Sequence, residues 1–452
     1  MEFQAILFVF VLAASFAFLF YNARRLIGFL RVGKDEDRSD RPWVRIRNVL
    51  TVAFGQSKLL REPLAGVLHF FIFWGFVILL GAILETIGEG LSPGFTFSSL
   101  GPLYPPVAFL QDLIGVLVIA ASIIALLRRY ISPPKRLDVS GRSRTDATVI
   151  LLLILCIICS MFAQNGANIA RGADMANGAR FASTAAAGLF EGMAVKAVGT
   201  WFTVFWWMHI LLVLGFMNYL PYSKHLHILS SIPNVYFAKT GKRGTLRSLD
   251  LADENVVRFG AADVEDLSWK QLLDGYTCTE CGRCTAACPA ASTGKLLSPQ
   301  KIIVDIRKRL MERAPEILAG SGGAGGNGTD ANAPGGEAAP ALGTARPQLV
   351  DGYITGQELW ACTTCMACVQ ECPVQIEHVD AIVDMRRFLV LNESRFPKEM
   401  QTTFQNLERN FTPWAFSHGS RADWAGDLGI PKLADRKDAG VLFWVGCAGA
   451  YD

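Results

Sequence analysis

Eight of the eleven cysteines stand in two copies of one spacing, C-x2-C-x2-C-x3-C-P. The first copy is Cys278, Cys281, Cys284 and Cys288 before Pro289; the second is Cys362, Cys365, Cys368 and Cys372 before Pro373. A run of this kind holds a cubane 4Fe–4S cluster, and in paired runs the fourth thiolate usually reaches the other cluster. The expected ligand sets are therefore crossed. Cys278, Cys281, Cys284 and Cys372 hold one cluster; Cys362, Cys365, Cys368 and Cys288 hold the other. A disulfide framework needs an oxidising compartment, and zinc sites rarely use four cysteines so closely spaced. A chain with two such runs moves electrons.

The rest of the constraint is apolar. Of 452 residues 51% are hydrophobic and the mean hydropathy is +0.30, too high for an ordinary soluble protein. The excess lies in the first half, in five stretches long enough to cross a bilayer, at about 4–22, 64–84, 107–127, 147–163 and 198–220. The first is not a cleaved signal, because Glu2 precedes it and Arg24 and Arg25 follow it, the reverse of a signal's charge order. The expected fold is mainly α: a five-helix transmembrane bundle, then a cytoplasmic α-helical two-cluster domain.

Loop charge orients the bundle. No Lys or Arg precedes the first span, ten lie between spans one and two, none between two and three, six after span three, and three between four and five. The positive-inside rule puts the N-terminus outside and everything after residue 220 in the cytoplasm of a cell whose plasma membrane it crosses. The net charge of +3 reflects these loops, and no basic patch points to nucleic acid.

An ionisable side chain inside a span is a functional candidate. His69 lies in span two and His209 in span five, with His225 and His227 just beyond it. Imidazole is the usual axial ligand of haem iron in electron carriers. A haem between two helices takes one histidine from each, and His69 is the only histidine on another span. So His69 pairs with one histidine of span five, and depth along the helix does not choose which. If that helix continued past Pro221, His209 and His227 would share a face about 27 Å apart, with His225 about 160° round from it.

Other residues carry weaker signals. Cys156 and Cys159 read as small buried hydrophobes in an apolar run. Gln111 and Asp112 at the start of span three read as an interfacial turn, or as a quinone or proton site. Trp201, Trp206 and Trp207 read as an interfacial belt plus packing. His378 and His418 have no partner pattern and read as surface histidines.

The expected organisation is a membrane domain over 1–230, a linker over 231–270, a two-cluster helical domain over 271–400, a connector over 401–440 and the start of a further domain over 441–452. Ser298 and Pro299 read as the N-cap and first turn of a helix whose apolar face is Ile302, Ile303, Ile306 and Leu310. A second helix is expected at about 378–394. Residues 319–345 are too rich in Gly and Ala to fold and read as a flexible loop. VLFWV (441–445) has the pattern of a short buried strand closing on Gly446 and Cys447. Too few residues follow for a core, so the chain is expected to be truncated or completed by a second chain.

Together these residues resemble a known family. The membrane half looks like the five-helix cytochrome b subunit of respiratory nitrate reductase and heterodisulfide reductase. Its span five has the same order of histidine, proline and histidine, here His209, Pro221 and His227. The resemblance implies haem b between His69 and His227. A second span-two histidine common in that family is Leu79 here, so His209 is left for a second, five-coordinate haem or a quinone site, and the haem count stands at one or two. TCTECGRCTAACPA and WACTTCMACVQECPV are similar to the two-cluster subunit of heterodisulfide reductase and glycolate oxidase. VLFWVGCAGAYD looks like the opening of its cysteine-rich CCG domain, which would make Cys447 the first ligand of an active-site cluster. The resemblance implies a membrane iron–sulfur oxidoreductase that links a cytoplasmic donor, such as electron-transfer flavoprotein, to menaquinone or another quinone. A disulfide or heterodisulfide reductase, and an electron-relay subunit of a larger complex, are the alternatives.

Overall fold

A computed structural model of the chain describes residues 2–92, 94–137, 141–176, 178–242, 244–254, 256, 258–321 and 347–451. Most of the glycine-rich 319–345 segment therefore lies outside the described residues. Helices dominate, and the described residues form no strand beyond two isolated bridges.

Helix α1 is Glu2–Leu30, and α2 (Pro42–Asn48) continues into one π-helical turn at Val49–Phe54. Then come α3 (Pro63–Leu91), α4 (Tyr104–Tyr130), α5 (Gly141–Ala170), the short α6 (Phe181–Ala187), α7 (Val195–Tyr219) and α8 (His227–Tyr236). Five helices, all but α2, α6 and α8, are long and apolar enough to cross a bilayer. At 1.5 Å per residue the 29 residues of α1 reach about 43 Å, past the ~30 Å hydrocarbon layer. Chain chemistry sets their ends. Prolines occupy the first turn of α3 and α4, where a missing N–H costs nothing. Arg128 and Arg129 close α4 against the negative end of its dipole.

The apolar bundle packs by close approach. A Cβ built on Gly75 of α3 would overlap Val118 Cγ2 of α4, so any larger residue there has to displace the Val118 side chain. Around it Leu79, Ile114, Val118, Ile158 and Met161 form a buried cluster of α3, α4 and α5. A second cluster joins Phe8 of α1 to Trp206, Ile210 and Leu214 of α7. Cys156 and Cys159 do not enter these cores: both are exposed on α5, contrary to the expectation of buried thiols.

The fifth span does not run on to His227. Helix α7 stops at Tyr219, single 3-10 turns follow at Leu220–Tyr222 and Lys224–Leu226, and α8 begins at His227. Pro221 supplies no N–H for a continued ladder, and Ser223 turns out to extended backbone and caps His225 N. The equal-face argument for His209 and His227 therefore has no helix to act on.

The chain divides into two compact units, one of Met1–Asn255 with Gly260–Arg386 and one of Val256–Phe259 with Arg387–Asp452. The bundle and both cysteine runs belong to the first unit. Helix α8 crosses the expected boundary at 230, and the linker has ordered anchors. Lys34 N donates to Leu267 O (2.8 Å), and Trp269 N donates to Lys34 O (3.0 Å). Ser268 caps the helix Trp269–Thr277 in a reciprocal box with Gln271. The helix Pro299–Ser321 follows, and Ile302, Ile303, Ile306 and Leu310 are all buried as its expected apolar face. In the second unit residues 441–445 form no strand; Val441 and Trp444 are each 87% exposed and make no ladder. An apolar run becomes a strand only with a partner edge.

Candidate electron-transfer site

The two cysteine runs adopt the same local backbone. Each bends at its third and fifth positions, Glu280 (φ 54°) and Gly282 (φ 74°) in the first, Thr364 (φ 54°) and Met366 (φ 63°) in the second. These left-handed residues curl each loop before short helices at Arg283–Ala286 and Ala367–Glu371 carry the third cysteine inward. Backbone N–H groups aim at sulfur, with Thr364 N 3.4 Å from Cys362 Sγ and Ile376 N 3.3 Å from Cys372 Sγ.

The structure brings the sulfurs together across the runs. Cys278, Cys281, Cys284 and Cys372 line one cavity, closed by Val374, Ile376 and His378. Burial pushes the Cys278 thiol up to about 12, opposed by the Arg307 guanidinium, and pushes Cys372 up to about 12 against the Ile376 N–H. Cys284 is raised by burial and then by Cys278, Cys372 and Cys281. Cys368, pushed up to about 12 by burial, is raised further by Cys362, Cys288 and Cys365. Two sets of four thiols thus repel one another's charge. Five of these eight thiols are buried, and thiolates so placed need cationic compensation, which iron supplies and a thiol proton otherwise replaces. Among the described residues no three His, Cys, Asp or Glu converge on a single-ion site; the first set surrounds a cavity instead. The donor set fits a cluster.

His378 is a correction to the sequence reading. It is 1% exposed, not a surface residue, with Nδ1 3.1 Å from Ile376 O, and it lines the first cavity. Burial holds its imidazole down at about 4, so it is neutral at physiological pH. Its position at the start of the helix His378–Leu391, six residues after Cys372, was the available signal.

A buried ionic network backs this cavity. Lys270 Nζ lies 2.7 Å from Asp274 Oδ1, Asp274 Oδ2 accepts from Glu377 N (3.1 Å), and Glu377 takes both Nη groups of Arg38 at 2.9 and 2.8 Å. Arg38 follows α1, so the network ties the bundle to the cysteine runs.

The first run also touches the bundle directly. Arg136 Nη1, between α4 and α5, donates to Cys281 O at 2.6 Å. Arg283 donates to Lys58 O at 2.9 Å. Glu62, next to the start of α3, pairs with Arg128 (2.6 Å), Arg283 (3.3 Å) and Arg136. A Cβ on Gly282 would stand 2.3 Å from Arg136 O, so this residue is glycine for contact as well as for its φ.

The membrane histidines separate into two groups. In the first, His69 Nδ1 lies 3.0 Å from Gln56 Oε1, and His227 Nδ1 lies 3.1 Å from Lys224 O. His227 is held down to about 3, first by burial and then by His225, with His69 near enough to add to the effect. In both rings the hydrogen bond occupies Nδ1 and leaves Nε2 outside it. His225, 5.6 Å from His227 between ring centroids, turns its Nδ1 to Asp146 at 3.4 Å. His209 lies elsewhere. It is 2% exposed, with Nδ1 3.1 Å from Ser160 Oγ and 3.0 Å from Ile157 O, while its Nε2 is buried without a protein partner. Asp112 is engaged structurally: it accepts from Ser183 N (2.8 Å) and Ser183 Oγ (2.7 Å), pinning the first turn of α6. Neighbouring Gln111 keeps a buried Oε1 without a partner. Cys447 belongs to the second unit, where Arg421 Nη2 approaches its sulfur at 3.2 Å.

Residues 277–376 match the family described as 4Fe-4S dicluster domain. The chain is 34% identical to the probable iron-sulfur-binding oxidoreductase FadF of Bacillus subtilis (strain 168), over 99% of this chain and 65% of that protein. It is 31% identical to an EtfAB:quinone oxidoreductase of Syntrophomonas wolfei subsp. wolfei, over 100% of this chain and 64% of that one. A probable membrane-anchored ferredoxin of Chromohalobacter salexigens is 41% identical over 47% of this chain and 30% of its own length. The chain thus spans just under two thirds of the first two relatives. No solved structure matches it. The chain is a homologue of iron–sulfur oxidoreductases, with five apolar helices ahead of a two-cluster 4Fe–4S domain.

Proposed function

We propose that this chain carries electrons between a cytoplasmic flavoprotein of the electron-transfer type and the membrane quinone pool. The observation that supports it most is that Gln56 Oε1 holds Nδ1 of His69 and Lys224 O holds Nδ1 of His227, which leaves both Nε2 atoms able to ligate. Bound clusters and haem b supply one-electron redox steps, which let a two-electron quinol be served one electron at a time. The protein does the rest. Cys278, Cys281, Cys284 and Cys372 hold one cluster; Cys362, Cys365, Cys368 and Cys288 hold the other. His69 and His227 would hold haem b through Nε2, with Gln56 Oε1 and Lys224 O fixing their rings. His209, with its buried unpaired Nε2, is the place for a second haem or a quinone contact. Loop charge supports an outside N-terminus and cytoplasmic cysteine runs. The partner assignment rests on the relative named EtfAB:quinone oxidoreductase.

The test is direct. Purified anaerobically in detergent and treated with a reduced menaquinone analogue, the protein should show a low-spin haem b spectrum that becomes reduced. It should also contain about eight cluster irons, by the two-run count. Full cluster content with no haem would overturn this reading and favour a relay without a membrane cofactor.

A further inference from the structure

Three consecutive residues join the two halves of the site. Gln56 is 1% exposed and presents Oε1 to His69 Nδ1 at 3.0 Å. Two residues on, Lys58 Nζ donates to Cys372 O at 3.1 Å and to Val369 O at 3.4 Å, and Lys58 O accepts from Arg283 at 2.9 Å. The segment is held by its own backbone, with Ser57 N donating to Thr51 O (3.2 Å) and Leu60 N to Gln56 O (3.0 Å). Gln56 Nε2 is buried without a protein acceptor. That donor suits an oxygen of a bound group, since an unpaired buried amide is costly.

We propose that residues 56–58 are the positioning link between haem and cluster, with Gln56 orienting His69 and Lys58 holding Cys372. It follows that the set Cys278, Cys281, Cys284 and Cys372 is the one that exchanges single electrons with the haem, and that the other set faces the soluble donor. Each transfer oxidises one centre by one electron and reduces its neighbour by one. The proposal rests on the haem reading above. Gln56 acts through His69: an acceptor on Nδ1–H fixes the tautomer and raises the basicity of Nε2.

Gln56→Leu removes the acceptor and Gln56→Glu strengthens it. In the purified holoprotein the haem midpoint potential should fall in the order Leu, Gln, Glu, because a more basic imidazole favours the ferric state. The low-spin EPR g values should move in step, while both cluster signals stay put. Lys58→Met should instead perturb the EPR signal of the cluster that Cys372→Ser destroys, and slow haem reduction by photoreduced clusters about tenfold or more, with the haem potential unchanged. Equal haem potentials and g values in the three Gln56 forms would overturn the proposal while leaving the haem reading intact. So would a Lys58→Met effect confined to the other cluster. Absence of haem from the unmutated protein would instead sink the underlying reading. Should Gln56→Leu not fold, Gln56→Glu against Gln56 still decides.

Discussion

The two cysteine runs are alike in themselves and unlike in their surroundings. They share spacing, the left-handed bends at the third and fifth positions, and the short helix that follows. The first, however, leans on the membrane half through Arg136, Lys58 O and the Glu62 cluster. The second is backed mainly from within its own domain, where Arg386 donates to Leu359 O and Cys362 O, and it meets the membrane half at its far end, where Lys58 Nζ donates to Val369 O and Cys372 O. The fifth position shows the consequence. Gly282 is hemmed in by Arg136 O, whereas Met366 adopts the same φ with a full side chain. A ligand motif therefore specifies the cluster, and the neighbours specify its place in a relay.

Substitutions should break this comparison in a definite order. The largest effect belongs to Cys372→Ser. Under crossed ligation it should cost the cluster of the first run and about four of the ~eight irons, while the EPR signal of the second run's own cluster survives. Loss confined to the second run's cluster would mean uncrossed ligation. Next is Gly282→Ala, which adds a Cβ into Arg136 O at positive φ; a loss of about 1–3 kcal/mol should appear as a lower melting temperature. Glu62→Gln should be milder, about 1–2 kcal/mol, because Glu62 is one-third exposed while three arginines depend on it. High salt should shrink that difference. Smallest is Met366→Gly. Relief of left-handed strain offsets the extra freedom of glycine in the unfolded chain, so the change should stay below about 1 kcal/mol. A Met366→Gly loss as large as that of Gly282→Ala would remove the asymmetry between the runs.

Much of this was legible in the sequence, for physical reasons that differ by region. Spans are long and uniformly apolar, so composition alone locates them, and Ser298–Pro299 announces the helix it caps. Cysteine spacing encodes ligation because one cluster imposes its own geometry. What escaped depends on distant neighbours. His378 is buried because the first cavity closes over it, and only its place six residues after Cys372 hints at that. Gln56 carries no motif; its meaning lies in a contact thirteen residues away. The break at Leu220–Leu226 is announced by Pro221, but the two 3-10 turns and the extended Ser223 that follow it leave no periodicity from which to read the angle. VLFWV has the composition of a strand, and composition cannot supply the second edge that a strand requires.

The comparison between the runs carries functional weight only if a haem stands at His69 and His227, beside the first. The most direct test is the low-spin optical and EPR signal of four single variants. His69→Ala and His227→Ala should each abolish the same low-spin haem, since each removes one axial ligand. His225→Ala should keep it, because His225 turns to Asp146, and His209→Ala should keep it as well, because its contacts lie on α5. Loss of that haem in His209→Ala with its retention in His227→Ala would contradict the account and put the haem on the other group of histidines, away from the first run.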